Sequence, residues 1–265
     1  MKYLFGQWQD VKKELEGRYI LLLLDYDGTL VPIAEMPHKA TLPEKTRDLL
    51  GSLSKSRNCK VAIVSGRSLK DIKKMVGLKG IVYSGNHGLE IEGPKIKFSP
   101  ALPSGYKAAL ILIKNDLLKR VSKIKGALLE DKGLSLSLHY RLVAEKEIAK
   151  VKTAFREATI LPRVKNKVNI RLGKRVLEVR PPVGWDKGKV ALWLLARSKF
   201  ALKGRAVMPV YVGDDLTDED AFKALKSKGL TIFVGRSKIL SAAYYLKDPK
   251  EAGIFLNYIL EICRS

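Results

Sequence analysis

Only two cysteines occur in the 265 residues, Cys59 and Cys263, far apart in the chain. That is too few for a disulfide framework or a thiolate zinc site. The three histidines are scattered. No apolar run near the N-terminus exceeds residues 20–24, whereas a membrane-spanning helix needs about 20 apolar residues. The opening stretch MKYLFGQWQDVKKELEG reads as an amphipathic helix and not as a secretory leader. A soluble, cytoplasmic protein that does not touch membrane is the expectation.

Acid is also scarce. The chain carries 27 Asp and Glu against 50 Lys and Arg, a formal net charge of +23. Such a balance fits nucleic-acid binding, a lysine-rich surface adapted to heat, or steering of an anionic substrate. The lysines stand in ones and twos, without a long tract, a zinc finger or an aromatic-rich ribonucleoprotein signature, so specific nucleic-acid binding is disfavoured. The excess is densest in residues 101–180, with 19 basic against 7 acidic residues. An apolar fraction of 46% is ordinary for a globular chain with a real core.

What is present is a pattern of buried strands that end in chemistry. The stretch LLLLDYDGTL at residues 21–30 drives a greasy strand into two carboxylates, Asp25 and Asp27. Even spacing points both to one side of an extended chain. Two carboxylates so close repel unless a cation or a shared proton intervenes. A helix follows at EKTRDLLGSLSKS, with Thr41 and Glu44 in capping-box spacing and Pro43 in the first turn. Then come a strand (60–64) ending at Ser65-Gly66-Arg67, a helix capped by Ser68 and stopped at Gly77, and a strand (81–83) ending at Ser84-Gly85-Asn86-His87-Gly88. Alternating strands and helices are the doubly wound signature.

From residue 89 the pattern changes. A hairpin (89–98) leads to a helix (104–124), paired strands (126–130 and 134–140), a helix (144–158) and a second hairpin around Gly173-Lys174. The doubly wound pattern resumes with a helix opened by Trp185-Asp186-Lys187. A strand (210–212) then ends in Gly213-Asp214-Asp215, and a helix capped by Thr217 follows. A strand (230–234) and a last helix (249–262) complete it. The expected fold is therefore α/β: a doubly wound, mostly parallel Rossmann-like core (1–102 and 183–265) with an inserted α+β (αββαββ) domain (103–182). Proline-bearing segments at Pro100, Pro103, Pro181 and Pro182 bound the insert.

The strand ends and the helix start after the insert carry Asp25, Asp27, Thr29, Ser65, Arg67, Lys187, Asp214, Asp215 and Asp218. Several carboxylates without thiolate or paired imidazole call for a hard cation, and oxygen donors favour Mg²⁺. A hydroxyl, a guanidinium and an ammonium beside it suit a phosphate group. One carboxylate could serve as nucleophile.

These motifs in this order resemble the haloacid dehalogenase superfamily of phosphatases. The insert resembles the α+β cap of its sugar-phosphatase branch. More narrowly, LDYDGTL, VSGR, GNHGLE, EDKGLSLSLHYR, LEVRPPVGWDKG and YVGDDLTDEDAF resemble the trehalose-6-phosphate phosphatases. The resemblance implies a Mg²⁺-dependent phosphoric monoester hydrolase that works through an aspartyl-phosphate. It makes Asp25 the nucleophile and Asp27 the acid for the leaving sugar, then the base for water. Asp25, Asp214 and the main-chain carbonyl of Asp27 become metal ligands. Thr29 supports the turn, Ser65, Arg67 and Lys187 attend the phosphoryl oxygens, and Asp215 and Asp218 hold metal waters or orient Lys187. In the cap, Glu130, Lys132, Arg141 and Glu178 match positions that grip sugar hydroxyls, with His87 and Gly88 facing the same cavity from the core.

Physical arguments accompany these roles. A lysine and a metal are expected to lower the pKa of Asp25. A closing cap would exclude water, and its basic surface would draw in a dianion. Glu178 interrupts an apolar strand, where a carboxylate needs a reason. His139 reads equally as a polar residue on an exposed strand face or as a site residue. Other members of the superfamily take sucrose phosphate, mannosylglycerate phosphate or glucosylglycerol phosphate, and a non-catalytic nucleic-acid-binding role is the reading from another class. A monomer with no fused synthase is expected, any trehalose-6-phosphate synthase being a separate partner.

Overall fold

The structure, a computed structural model, describes residues 1–34, 36, 39–173, 175–235 and 241–264. In chain order the elements begin with β1 (Lys2–Tyr3), α1 (Trp8–Leu15), β2 (Tyr19–Leu24), α2 (Glu44–Lys55), β3 (Cys59–Val64), α3 (Leu69–Val76), β4 (Val82–Gly85), β5 (Glu90–Gly93) and β6 (Ile96–Phe98). Then follow α4 (Tyr106–Val121), β7 (Leu128–Asp131), β8 (Leu136–His139), α5 (Ile148–Val164), β9 (Asn169–Gly173) and β10 (Val176–Arg180). The last are α6 (Lys187–Ala201), β11 (Val207–Gly213), α7 (Glu219–Leu225), β12 (Leu230–Val234), β13 (Tyr244–Leu246) and α8 (Pro249–Arg264).

The leucine run becomes β2, and its side chains divide by parity. Ile20, Leu22 and Leu24 enter one apolar cluster with α1, α2, α3 and α8, whereas Leu21 and Leu23 enter a second with α6 and α7. Successive strand side chains point to opposite faces, so a strand covered by helices on both sides is apolar at every position. Each leucine removed from water contributes about 1.5–3 kcal/mol. The sheet runs β1-β13-β12-β11-β2-β3-β4-β5-β6. It is parallel from β1 to β4, and β5 and β6 add an antiparallel edge. Because β2 lies between β11 and β3, the loops leaving their carboxyl ends converge, which is where ligands bind in such sheets.

Two compact units result: Met1–Ser99 with the chain from Trp185 on, and Pro100–Gly184. The second holds an antiparallel sheet, β7-β8-β10-β9. Leu136, Leu138, Leu177 and Val179 of that sheet pack against α4 and α5. The turn expected at Gly173-Lys174 includes Lys174, which lies outside the described residues.

Local expectations needed correction at several points. The opening residues are not one helix: Lys2 and Tyr3 pair with β13 at the sheet edge, and α1 is confined to Trp8–Leu15. Thr41 does not cap α2, because Pro43 occupies the cap position and no side chain caps the helix. Thr217 does not cap α7 either; its hydroxyl donates to Asp215 at 2.7 Å, and Asp218 holds the cap position. Helix α5 continues to Val164 through Pro162. Ser68 does cap α3, accepting from the Asp71 N–H at 3.1 Å, and Gly77 ends that helix in the left-handed region.

Candidate active site

Asp25 follows β2 directly and accepts a hydrogen bond from Lys187 Nζ at 2.7 Å. Lys187 arrives as the first residue of α6, whose N-cap Asp186 accepts from the Lys189 N–H at 2.9 Å. Its other partner is Asp218, at 2.8 Å. Asp218 is fully buried and has four donors: Lys187 and the Tyr211 hydroxyl (2.7 Å) on Oδ1, and the N–H groups of Asp214 and Asp215 (3.0 Å each) on Oδ2. It thereby folds the loop after β11 and aims the ammonium.

Gly28 has φ +84°, and a Cβ there would fall 2.0 Å from Asp214 Oδ2. Only glycine lets the Asp25–Thr29 turn approach the Asp214 carboxylate so closely. Thr29 donates to Asp214 Oδ1 at 3.3 Å. Carboxylate oxygens of Asp25 and Asp214 lie within 4.8 Å of one another.

Asp27 is gripped by Arg67, Nε to Oδ2 at 2.6 Å and Nη2 to Oδ1 at 2.5 Å. The guanidinium also lies over the Tyr26 ring, 5.6 Å from its centroid. Ser65, buried at the end of β3, accepts from the Arg67 N–H at 3.1 Å and fixes that turn. Beside it, Asn86, His87 and Gly88 all have positive φ, at 51°, 56° and 108°. Left-handed Asn and His cost about 1–3 kcal/mol each and concentrate at functional positions. The loop is held by Asn86 N–H to the Arg67 carbonyl (2.7 Å) and His87 N–H to the Ser65 carbonyl (3.0 Å). The His87 ring covers Gly66, where a Cβ would come within 2.4 Å of it.

Electrostatics follow from this crowding. Burial pushes the Asp25 carboxyl well up, against the pull of Lys187. The expectation that its pKa is lowered is thus not met by the chain's own charges. Burial, then Asp218 and Asp215, push Asp214 up to about 7. Burial alone would lower Lys187, but Asp218 and Asp25 together hold it well above its usual value. The site therefore has more negative charge than its lysine balances.

That excess, with oxygen donors only, fits a divalent cation. Oxygens of Asp25, Asp214 and Asp218 lie within 4.8 Å of one another. Because Asp218 already has four donors, Asp25 and Asp214 are the carboxylates left to hold an ion, and Asp218 acts as their organiser. Asp215 turns to its own loop and accepts from Thr217 N–H and hydroxyl, both at 2.7 Å.

A second polar constellation lies within the other unit. Strand register places Glu130, Ser137 and Glu178 in one row across β7, β8 and β10. Glu178 Oε1 accepts from Ser137 Oγ at 2.9 Å and from Lys132 Nζ at 3.1 Å, and Oε2 accepts from Arg180 Nε at 2.8 Å. His139 pairs with Glu130 at 2.7 Å. Arg141 is exposed in the turn after β8. Sequence reading missed Tyr211, Ser137 and Arg180 as parts of these networks. The partner of Ser137 is 41 positions away and emerges only from register.

Comparison with known proteins agrees with this geometry. The trehalose-phosphatase family profile matches residues 23–250. Trehalose-phosphate phosphatase B of Arabidopsis thaliana is 34% identical, over 97% of this chain and 70% of its own length. Among solved structures, the C-terminal domain of C. albicans trehalose-6-phosphate phosphatase superposes with a TM-score of 0.83, covering 98% of each chain at 24% identity, which speaks for the fold. A trehalose-6-phosphate phosphatase related protein gives 0.73 over 91% of this chain and 97% of its own, at 27% identity. With the matched profile spanning most of its length, this chain belongs to the trehalose-phosphatase family.

Proposed function

We propose that the chain is a phosphoric monoester hydrolase that converts trehalose 6-phosphate to trehalose and phosphate. The observation that carries the reading is the buried Lys187–Asp25 contact beside the Asp214 carboxylate, in a chain of this family. Asp25 attacks phosphorus, the bond to the sugar oxygen breaks, and Asp27 protonates the departing alkoxide. Asp27 then takes a proton from the water that hydrolyses the aspartyl-phosphate. Lys187 and Ser65 hold phosphoryl oxygens, and Arg67 fixes the orientation of Asp27. The carboxylates of Asp25 and Asp214 and the carbonyl of Asp27 would hold Mg²⁺, which supplies charge neutralisation for the carboxylates and the dianionic phosphoryl group.

The Glu130, Lys132, Arg141 and Glu178 positions, together with His87 and Gly88, serve recognition of the sugar, and residues 100–184 act as the specificity domain. The ordered row of donors and acceptors around Glu178 supports this, since a disaccharide offers many hydroxyls. The two buried free thiols accord with a cytoplasmic setting. The reading includes a monomer that receives its substrate from a separate synthase.

Phosphate release from a panel of sugar phosphates tests the reading, with Mg²⁺ or EDTA and with Asp25→Asn beside wild type. Release chiefly from trehalose 6-phosphate, abolished by EDTA and by the substitution, is expected. Release chiefly from another sugar phosphate would overturn the substrate, and release that persists in Asp25→Asn would overturn the nucleophile.

A further inference from the structure

Two thiols stand apart from the carboxylate site. Cys59 opens β3 and Cys263 lies in the last turn of α8, 4% and 6% exposed. About 200 positions separate them in the chain, yet their thiols adjoin and both are free. The main chain fixes this pairing independently. Ser56 Oγ and Asn58 Nδ2 both donate to the Cys263 carbonyl, at 3.3 and 3.4 Å, so the residues just before β3 grip the end of α8. Both sulfurs belong to the same apolar cluster.

The two differ in access. Cys263 lines an open cavity of about 350 Å³ together with Lys55, Arg57, Asn58 and Arg264, and Cys59 is not part of that lining. They also differ in acidity. Contact with Cys59 holds the Cys263 thiol below its ordinary range, and the same contact, with burial, pushes Cys59 well up. A cysteine that lines an open cavity among cations, beside a second, enclosed thiol, is the arrangement of a reactive and a resolving cysteine.

We propose that Cys59 and Cys263 form a reversible oxidation site for peroxides, closing to an intramolecular disulfide that staples the last helix to the sheet. The Cys263 thiolate attacks one peroxide oxygen. The O–O bond breaks, and the departing hydroxide takes up the proton that the thiol released, giving water. Cys263 is left as a sulfenic acid. The Cys59 sulfur then attacks the Cys263 sulfur, the S–O bond breaks, and the leaving hydroxide takes the Cys59 proton as a second water. Two thiols lose one electron each and one peroxide gains two. A reducing dithiol reverses the bridge by exchange.

The staple sits at the amino end of β3, whereas Ser65 follows its carboxyl end, about 20 Å away along the strand. Oxidation therefore acts on stability and leaves turnover unchanged. A bridge that closes so long a loop restricts the unfolded chain more than a short one.

The test uses the full chain, reduced and then exposed to hydrogen peroxide, with thiols counted after denaturation and peptides mapped by mass spectrometry. Both thiols are expected to disappear together into a Cys59–Cys263 cross-linked peptide within one chain. The apparent melting temperature is expected to rise by about 5–15 °C and to fall back on reduction. In Cys59→Ser, a sulfenic-acid probe such as dimedone should label Cys263, and in Cys263→Ser, Cys59 should stay unlabelled. Survival of both thiols in folded wild type would overturn the proposal. So would bridges between chains, or oxidation of Cys263 to sulfinic acid without a bridge.

Discussion

Arg67 clamps Asp27 with two parallel bonds, Nε to Oδ2 at 2.6 Å and Nη2 to Oδ1 at 2.5 Å. The motif VSGR suggested a guanidinium for the phosphate. The geometry places it on the carboxylate that the proposed mechanism uses as acid and base. A planar fork orients a carboxylate in a way that an ammonium cannot. Arg67→Lys is therefore expected to lower kcat by about 10²-fold with little change in KM. Steady-state kinetics decide it: a rise in KM with kcat preserved would mean that Arg67 binds the phosphate instead.

Asp218 is the hub of the site, and its loss should be felt in stability as well as in rate. Two of its four donors, the Lys187 ammonium and the Tyr211 hydroxyl, are buried with it. Asparagine keeps the shape but turns an amide donor toward either the two N–H groups or Lys187 and Tyr211. Removing one member of a buried charge pair costs about 3–5 kcal/mol. Asp218→Asn should lose that much in urea denaturation at neutral pH, and its phosphatase activity should fall further than that of Asp215→Asn. Equal stability of wild type and Asp218→Asn would show that the network is dispensable.

Gly28 offers a test of close approach. Alanine there would need a left-handed backbone and would drive its Cβ into the Asp214 carboxylate, 2.0 Å from Oδ2. The turn can escape only by moving Asp25, Asp27 or Asp214. Gly28→Ala is expected to fold, since the strand beneath is unaffected, but to lose at least about tenfold in kcat/KM. Circular dichroism and phosphate release together check it; full activity would mean that the turn has slack the structure does not show.

Much of this was legible because it depends on short-range pattern. The run at residues 20–24 announced a strand covered on both faces, and each acidic or hydroxyl group of the core site follows such a strand or starts a helix. What escaped depends on long-range pairing. The edge strand β1 and its neighbour β13 have two and three residues, too short for any periodicity. The Thr41 and Thr217 caps failed because Pro43 and Asp218 took those positions. Asp215 and Asp218 looked alike in GDDLTDED, and only the fold shows one facing a loop hydroxyl and the other buried under a lysine. The contact between Cys59 and Cys263 had no signal in the sequence at all.

The second unit carries the last prediction. Glu178 is 5% exposed and is ion-paired with both Lys132 and Arg180, whose side chains are 8% and 14% exposed. Its two oxygens are divided, Oε1 taking Ser137 and Lys132 and Oε2 taking Arg180. Glu178→Gln would leave two cations facing a neutral amide, and it would replace one acceptor by a donor aimed at other donors. If this row reads the sugar, KM for trehalose 6-phosphate should rise by about tenfold or more, the loss expected when a site's buried polar groups are left unpaired. Hydrolysis of a small phosphate ester without a sugar, such as p-nitrophenyl phosphate, should be unchanged, because the core carboxylates are untouched. Arg180→Gln should show the same split more weakly, since Ser137 and Lys132 still hold Oε1. If both substrates suffer equally, the row around Glu178 supports the fold and not the choice of sugar.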